Sequence, residues 1–323
     1  MVQSIIRYAL MATASALAAW GQSAGPNTIV GAGYVSPASL RVAPGQIITV
    51  YAAGVGSTLS QPVFAGAGKL PTSLAGLSVT IRQGKDIPAP ILAVSPVTTC
   101  SAGCGVITAI TIQIPYEMLT FFCAPDDVCP AFLLATEFFV TENGVAGTLS
   151  ALAPVPDQVH ILTECDSILP GGSGDSPVSG LPCQAVVTHT NNTVVSNMNP
   201  AKVGEELVAY AVGLGATNPS VTSGQPAAQP TPTAESFTLD FNFHPNALAA
   251  KPVSQAAPLF TGLTAGYPGL YQINFVVPPL PSGALPCTSG QAPLPASMVI
   301  TNLTVSVGGA TSFDGAAICV SPN

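Results

Sequence analysis

The sequence predicts an all-β protein, two tandem β-sandwiches with disulfide-stapled loops. Three observations lead there. The composition favours turns and short elements, one segment occurs twice at a constant offset, and strand-like runs follow one another at regular spacing in both halves.

The 323 residues support two domains of ordinary size. Hydrophobic residues make up 48% and charged residues 7%, against about 25% charged in ordinary globular chains. Disorder by charge repulsion is therefore not expected. The 31 Gly and 32 Pro disfavour long helices, because Pro removes an amide donor and Gly admits positive φ. The net charge is −8 with only seven Lys and Arg. No extended phosphate-binding surface can be built from so few cations, so nucleic acid is not an expected partner. An anionic bilayer surface is an equally poor one.

Residues 1–24 read as a signal peptide. Met1–Arg7 carries one cation, Tyr8–Trp20 is an apolar run of small residues, and Gln22-Ser23-Ala24-Gly25 turns polar. The run is too short to span a bilayer, and no span is expected after its removal. The mature N-terminus is expected between Gln22 and Asn27. Cleavage would remove Trp20, the only tryptophan. A buried first helix is the rival reading of this segment.

The internal repeat is the strongest signal. Ser36–Gly56 reads SPASLRVAPGQIITVYAAGVG and Val195–Gly215 reads VSNMNPAKVGEELVAYAVGLG. Gly45 matches Gly204, Tyr51 matches Tyr210, and Gly54 and Gly56 match Gly213 and Gly215. Pro44-Gly45 is a turn that launches a strand. Ile47, Thr49 and Tyr51 fall on one side of it and Ile48, Val50 and Ala52 on the other. In the second copy Leu207, Ala209 and Ala211 face opposite to Val208, Tyr210 and Val212.

Later segments correspond more loosely. Ala89–Leu92 resembles Ala257–Phe260. The strand Ile107–Ile114 ends at Pro115, and Leu270–Val277 ends at Pro278. Phe138–Thr141 runs into Asn143-Gly144 and Leu303–Val307 into Gly308-Gly309, both hairpin signals. A last strand is expected at Ala316–Ser321. About seven short strands per half point to a pair of aligned sandwiches. A pair of small barrels, or one domain formed across both copies, are the alternatives. The first domain is placed at 25–155, with a Cys-rich insertion, and the second at 156–323. Val159–Leu162 and Ala185–Thr188 read as strands of the second.

The pattern Pro-Gly-x-x-apolar-x-x-Tyr-x-x-Gly-x-Gly, with LPTSLAGLSVTI at Leu70–Ile81 and GLYQINFVVP at Gly269–Pro278, resembles an uncharacterised repeat of secreted proteins. That family is abundant in Solibacter and other Acidobacteria-type soil bacteria. The resemblance covers most of the mature chain. It implies immunoglobulin-like sandwiches, of the kind also found in transcription factors, and no assigned activity. The cysteines and the insertion around Cys100–Cys129 depart from its pattern.

The cysteines are Cys100, Cys104, Cys123, Cys129, Cys165, Cys183, Cys287 and Cys319. Export and an even count favour disulfides, with connectivity open from sequence alone. Proximity gives Cys100–Cys104, Cys123–Cys129, Cys165–Cys183 and Cys287–Cys319.

No segment assembles a catalytic, cofactor or metal set, so no enzyme activity, cofactor or metal is expected. Gly21–Gly25 spells G-x-S-x-G, but in the cleavage region and without the strand-to-helix elbow that the motif needs. His160, His189 and His244 fit no zinc spacing. A metal site from His160, His189 and Asp166 is conceivable, and polar residues at sheet margins are the plain alternative. Asp126-Asp127 offers too few oxygens for calcium by itself. Glu205-Glu206 begins a strand, where one of the two should face water.

These readings lead to a secreted or cell-surface structural or interaction protein, serving adhesion, matrix association or fibre formation. Its expected partners are proteins, or further copies of the chain, joined at exposed strand edges. The alternative is a carbohydrate-binding module or accessory domain of extracellular polysaccharide processing, with Tyr267 and Tyr271 as ligand-contact candidates.

Overall fold

The structure, a computed structural model, describes residues 28–32, 40–97, 105–120, 136–168, 183–244, 256–289 and 299–321. Every regular element among them is a β-strand. The predicted signal peptide, Cys100, Cys104, Asp126-Asp127, Cys123 and Cys129 lie outside the described residues.

The N-terminal half holds eleven strands: β1 (Thr28–Ala32), β2 (Leu40–Val42), β3 (Ile47–Ala53), β4 (Val63–Phe64), β5 (Leu77–Gln83), β6 (Lys85–Ala89), β7 (Ile91–Pro96), β8 (Ile107–Gln113), β9 (Thr136–Glu142), β10 (Val145–Ala146) and β11 (Ser150–Pro154). One sheet runs β1-β3-β8-β7-β4 and the other β2-β11-β9-β5-β6. The period of two along each strand supplies the apolar face. Ile48, Val50, Ala52, Ile110 and Ile112 of the first sheet pack against Leu77, Val79, Ile81, Phe138 and Val140 of the second.

The C-terminal half holds β12 (His160–Ile161), β13 (Val187–His189), β14 (Ala201–Lys202), β15 (Glu206–Val212), β16 (Thr231–Pro232), β17 (Thr238–Asn242), β18 (Phe260–Leu263), β19 (Tyr271–Val276), β20 (Thr288–Ser289), β21 (Val299–Ile300), β22 (Leu303–Gly308), β23 (Phe313–Ile318) and β24 (Val320–Ser321). Its larger sheet runs β12-β15-β19-β18-β16, with β13 also on β15, and β17-β22-β23 lies opposite. Leu207, Ala209, Ala211, Ile273 and Phe275 pack on Leu239, Val305, Val307, Ala316 and Ile318. The segments 159–162 and 185–188 thus build the C-terminal sheet, as the sequence reading placed them.

The two halves run their strands in corresponding order: β3 and β15 beside β8 and β19, then β7 and β18, then β4 and β16. Each half also has a short parallel pair, β2 on β11 within the second sheet and β14 on β24 as a separate two-stranded sheet. The matched glycines share one conformation. Gly45, Gly54 and Gly56 have φ of 75°, 76° and 69°, and Gly204, Gly213 and Gly215 have 80°, 79° and 81°. Only Gly enters that region without strain. At Gly213 and Gly215 a Cβ would also collide with the carbonyls of Gln158 and Pro156.

One expectation shifts in detail. The last strand begins at Phe313, not Ala316, and breaks at Cys319. Ala201 donates to the Cys319 carbonyl there, so β14 takes over as neighbour at the break. The Asn143-Gly144 hairpin forms as read, with both residues at positive φ.

The halves are docked through a polar and aromatic joint. The Tyr116 hydroxyl lies 3.2 Å from that of Tyr271, which donates to the Gly215 carbonyl. Burial pushes both hydroxyls well above the ordinary tyrosine range, so both stay neutral. Gly224 donates to Gln113 Oε1 at 2.6 Å and Leu70 donates to the Gly224 carbonyl at 2.8 Å. Ile47, Leu162 and Val212 form a small apolar cluster across the joint, flanked by Leu92, Tyr210 and Leu270. Asp157, in the connector, is fully buried. Its carboxylate accepts from Thr311 N, Ser312 N and Ser312 Oγ, which fixes the β22–β23 turn.

Candidate functional site

In the larger C-terminal sheet only one face is packed into the core. The outward residues are Glu206, Val208 and Tyr210 on β15, paired with Val276, Asn274 and Gln272 on β19. Phe260 and Gly262 of β18 lie opposite Asn274 and Gln272, on the same side. One end of this face is closed by the joint, where Val212 is fully buried and Tyr210 packs against the cluster. The other end is open: Val276 is 43% exposed and neighbouring Leu259 57%.

The open part has a definite chemistry. Gly262 leaves room for the Phe260 ring, because a Cβ there would collide with Phe260 Cζ. The ring therefore lies along the sheet. Beside it runs a polar ladder. Gln272 Nε2 donates to Asn274 Oδ1 at 3.0 Å, and Asn274 Nδ2 donates to Glu206 Oε1 at 3.0 Å. A side-chain amide offers two donors and two acceptor sites, and a carboxylate offers acceptors only. The ladder thus retains donors and acceptors after its internal bonds are made. Among the described residues Glu206 is the one Asp, Glu, Lys or Arg on this open part.

The residues singled out by sequence fall elsewhere. Tyr271 points inward, is fully buried and offers no surface to a ligand. The period-2 alternation put Tyr271 on the core face of β19 and its neighbour Gln272 on the open one. Tyr267 is 59% exposed, in the turn between β18 and β19. The two tyrosines do not form a joint surface.

His160 and His189 lie opposite Val212 and Leu207, at the two ends of β15. That separates them by roughly 16 Å along the strand, too far to share a metal. Each instead clasps local chain. His160 Nε2 is 2.9 Å from Asp166 Oδ1 and its Nδ1 is 3.2 Å from Asp314 Oδ2. Burial alone would lower its pKa, but the hydrogen bonds and charges of Asp166 and Asp314 prevail and lift it to about 9. His189 Nδ1 meets Glu205 Oε1 at 2.6 Å, and Glu205 also accepts from Lys202 N. Burial opposes ionisation of Glu205, and these hydrogen bonds overcome it and lower its pKa. Of the pair Glu205-Glu206, it is Glu206 that faces water. Among the described residues no group of three or more His, Cys, Asp or Glu is arranged to hold a metal.

Cys165–Cys183 and Cys287–Cys319 are disulfides, both in the C-terminal half and both as paired by proximity. A depression of about 530 Å³ lies between β17 and residues 281–285. Its polar wall is already engaged. Asp240 accepts from Phe241 N at 2.9 Å and Asn242 from His244 N at 3.2 Å, and Asp240 and Ser306 make further contacts.

The amide ladder was not recognised from sequence. The only available signal was the polar alternation Gln272-x-Asn274 within an apolar strand, which ordinarily marks just a solvated face. No protein-family model, curated protein or solved structure matches the chain.

Proposed function

We propose that the chain is an exported, non-catalytic interaction protein made of two tandem immunoglobulin-like sandwiches, 25–155 and 156–323, after loss of residues 1–24. The resemblance to the secreted repeat of Acidobacteria-type bacteria belongs to the same reading. One observation carries it. Two sheet pairs with corresponding strand order are docked so that one outer face is used by the joint while its counterpart is left open. A rigid pair that presents one differentiated face suits a recognition module. The two disulfides add support, because such bonds persist in oxidising compartments.

Three of the strand edges are poorly suited to pairing with another chain. β4 and β16 are two residues each, and β16 contains Pro232. β6 carries Lys85, Asp86 and Pro88. Short length, charge and proline all oppose edge-to-edge pairing. The partner is therefore assigned to the open face of the C-terminal sheet.

Fractionation of cells expressing the full chain tests the reading. The exported fraction should begin between residues 22 and 27, and its non-reduced mass should show all eight cysteines oxidised. Retention of Met1 in a cytoplasmic, fully reduced protein would overturn it.

A further inference from the structure

We infer that the open face of the C-terminal sheet is a binding platform for a neutral polysaccharide chain, with Phe260, Gln272, Asn274 and Glu206 as its contact residues. This rests on the interaction-protein reading above and names the partner's chemistry.

A pyranose ring presents an apolar C–H face and a rim of hydroxyl groups that both donate and accept. The platform is the complement. The Phe260 ring reaches along the strand to Gly262, and an aromatic ring there offers an apolar surface to the C–H side of a sugar. The ladder runs from Gln272 through Asn274 to Glu206 along the sheet. Each rung keeps hydrogen-bonding atoms that match hydroxyls, and the internal bonds hold the rungs in place beforehand, which lowers the ordering cost of binding.

Charge narrows the ligand class. Among the described residues the open part carries one carboxylate and no Lys or Arg, on a chain of net charge −8. Nucleic acids and acidic polysaccharides are repelled, whereas a hydroxyl-rich neutral chain meets an acceptor at Glu206. Geometry gives the direction of approach. The face is continuous with the apolar joint formed by Ile47, Leu162 and Val212. That wall closes one end, and exposed Val276 and Leu259 leave the other open. An open strip suits a chain bound along its length better than a free monosaccharide. With Phe in place of a larger aromatic ring, the affinity should be modest, with Kd on the order of 0.1–1 mM.

Native gel electrophoresis of the full mature chain in gels containing hydroxyethyl cellulose, neutral arabinoxylan, mannan or laminarin, with polygalacturonate as the acidic comparison, provides the test. At least one should retard the protein. Phe260→Ala and the double variant Gln272→Ala/Asn274→Ala should each lose that retardation about tenfold or more. Phe260→Trp should strengthen it several-fold. Phe64→Ala, on an exposed edge of the N-terminal half, should leave it unchanged, and all variants should show the wild-type melting transition. Equal retardation of Phe260→Ala would overturn the inference. So would retardation only by polygalacturonate, or retardation by none of the polymers. Co-migration with a secreted protein or a second copy, without polysaccharide binding, would also overturn it, yet would leave the interaction-protein reading intact.

Discussion

The outer faces of the two large sheets occupy corresponding places and have opposite fates. In the N-terminal half Ile47 and Thr49 of β3 and Thr111 and Gln113 of β8 are all buried. Thr49 and Thr111 hydrogen-bond to each other at 3.1 Å, and Gln113 reaches into the partner half to hold Gly224. At the corresponding places of the C-terminal half stand Glu206, Val208, Asn274 and Val276, none of them buried. The core faces are alike in kind, apolar residues opposed to apolar residues. The comparison teaches that the shared pattern specifies the sandwich, whereas divergence sits on the face that the sandwich does not need. One half has used that face for docking, and the other leaves it open.

Five sets of substitutions would break or sharpen this contrast. Both described disulfides lie in the C-terminal half, and Cys287–Cys319 spans a sequence separation of 32. Replacing both residues with Ser should lower stability by about 3–4 kcal/mol, as judged by the urea midpoint, because the unfolded chain regains its loop entropy. An unchanged midpoint would show that the fold is not held at its last strand.

Asp157→Ala should cost about 3 kcal/mol, since it strands Thr311 N, Ser312 N and the Ser312 hydroxyl beside the connector. The Asn143-Gly144 hairpin of the N-terminal half is braced differently, by Gly56 N donating to Glu142 Oε1 at 2.9 Å and Asn143 N donating to the Gly76 carbonyl at 3.0 Å, and denaturant melts of the two halves' hairpin variants would compare the two braces.

Gly45 and Gly204 test the same motif in two settings. Both have positive φ, but a Cβ at Gly45 collides with the Tyr116 ring while one at Gly204 meets nothing within 4 Å. Gly204→Ala should cost about 1 kcal/mol for the backbone alone. Gly45→Ala should cost about 2–3 kcal/mol, because it also displaces the joint. Equal losses would mean that the joint contributes little.

His160 supplies a pH dependence confined to the C-terminal half. Its folded pKa, about 9, is raised above the ordinary 6.5. The clasp's stabilisation is therefore complete below about pH 6.5 and is lost as pH climbs through 9. With the side chain 19% exposed, about 1–2 kcal/mol is expected after screening. Wild type should lose that much between pH 6.5 and 9.5, relative to His160→Gln. A parallel pair of stability curves would contradict the clasp.

The smallest effect concerns the buried hydroxyl pair. Thr49→Val or Thr111→Val alone should cost about 1 kcal/mol, and the double variant nearly nothing, because the unpaired hydroxyl and not the lost bond carries the penalty. A double-mutant cycle gives the coupling directly.

The strands were legible because their physics is local. Alternation placed Ile48 and Val50 against Ile47 and Thr49, and the turn glycines marked where β3 and β15 begin and end. Cysteine spacing, too, found Cys165–Cys183 and Cys287–Cys319. Site residues were harder. Tyr271 read as a ligand contact because aromatic character is visible in a sequence and facing is not. Gln272 and Asn274 read as ordinary solvated polar residues.

What the sequence determined by itself was the all-β class, the strand positions and the backbone points where only glycine can stand, since each follows from a residue and its near neighbours. The tertiary structure alone decided that Ile47 and Gln113 are covered while Val276 and Glu206 are open. It alone set His160 between Asp166 and Asp314, and Tyr116 against Tyr271. Those facts depend on how one sheet face meets another element far along the chain. Alternation says that a residue points outward, but only docking determines whether outward means solvent or a neighbour.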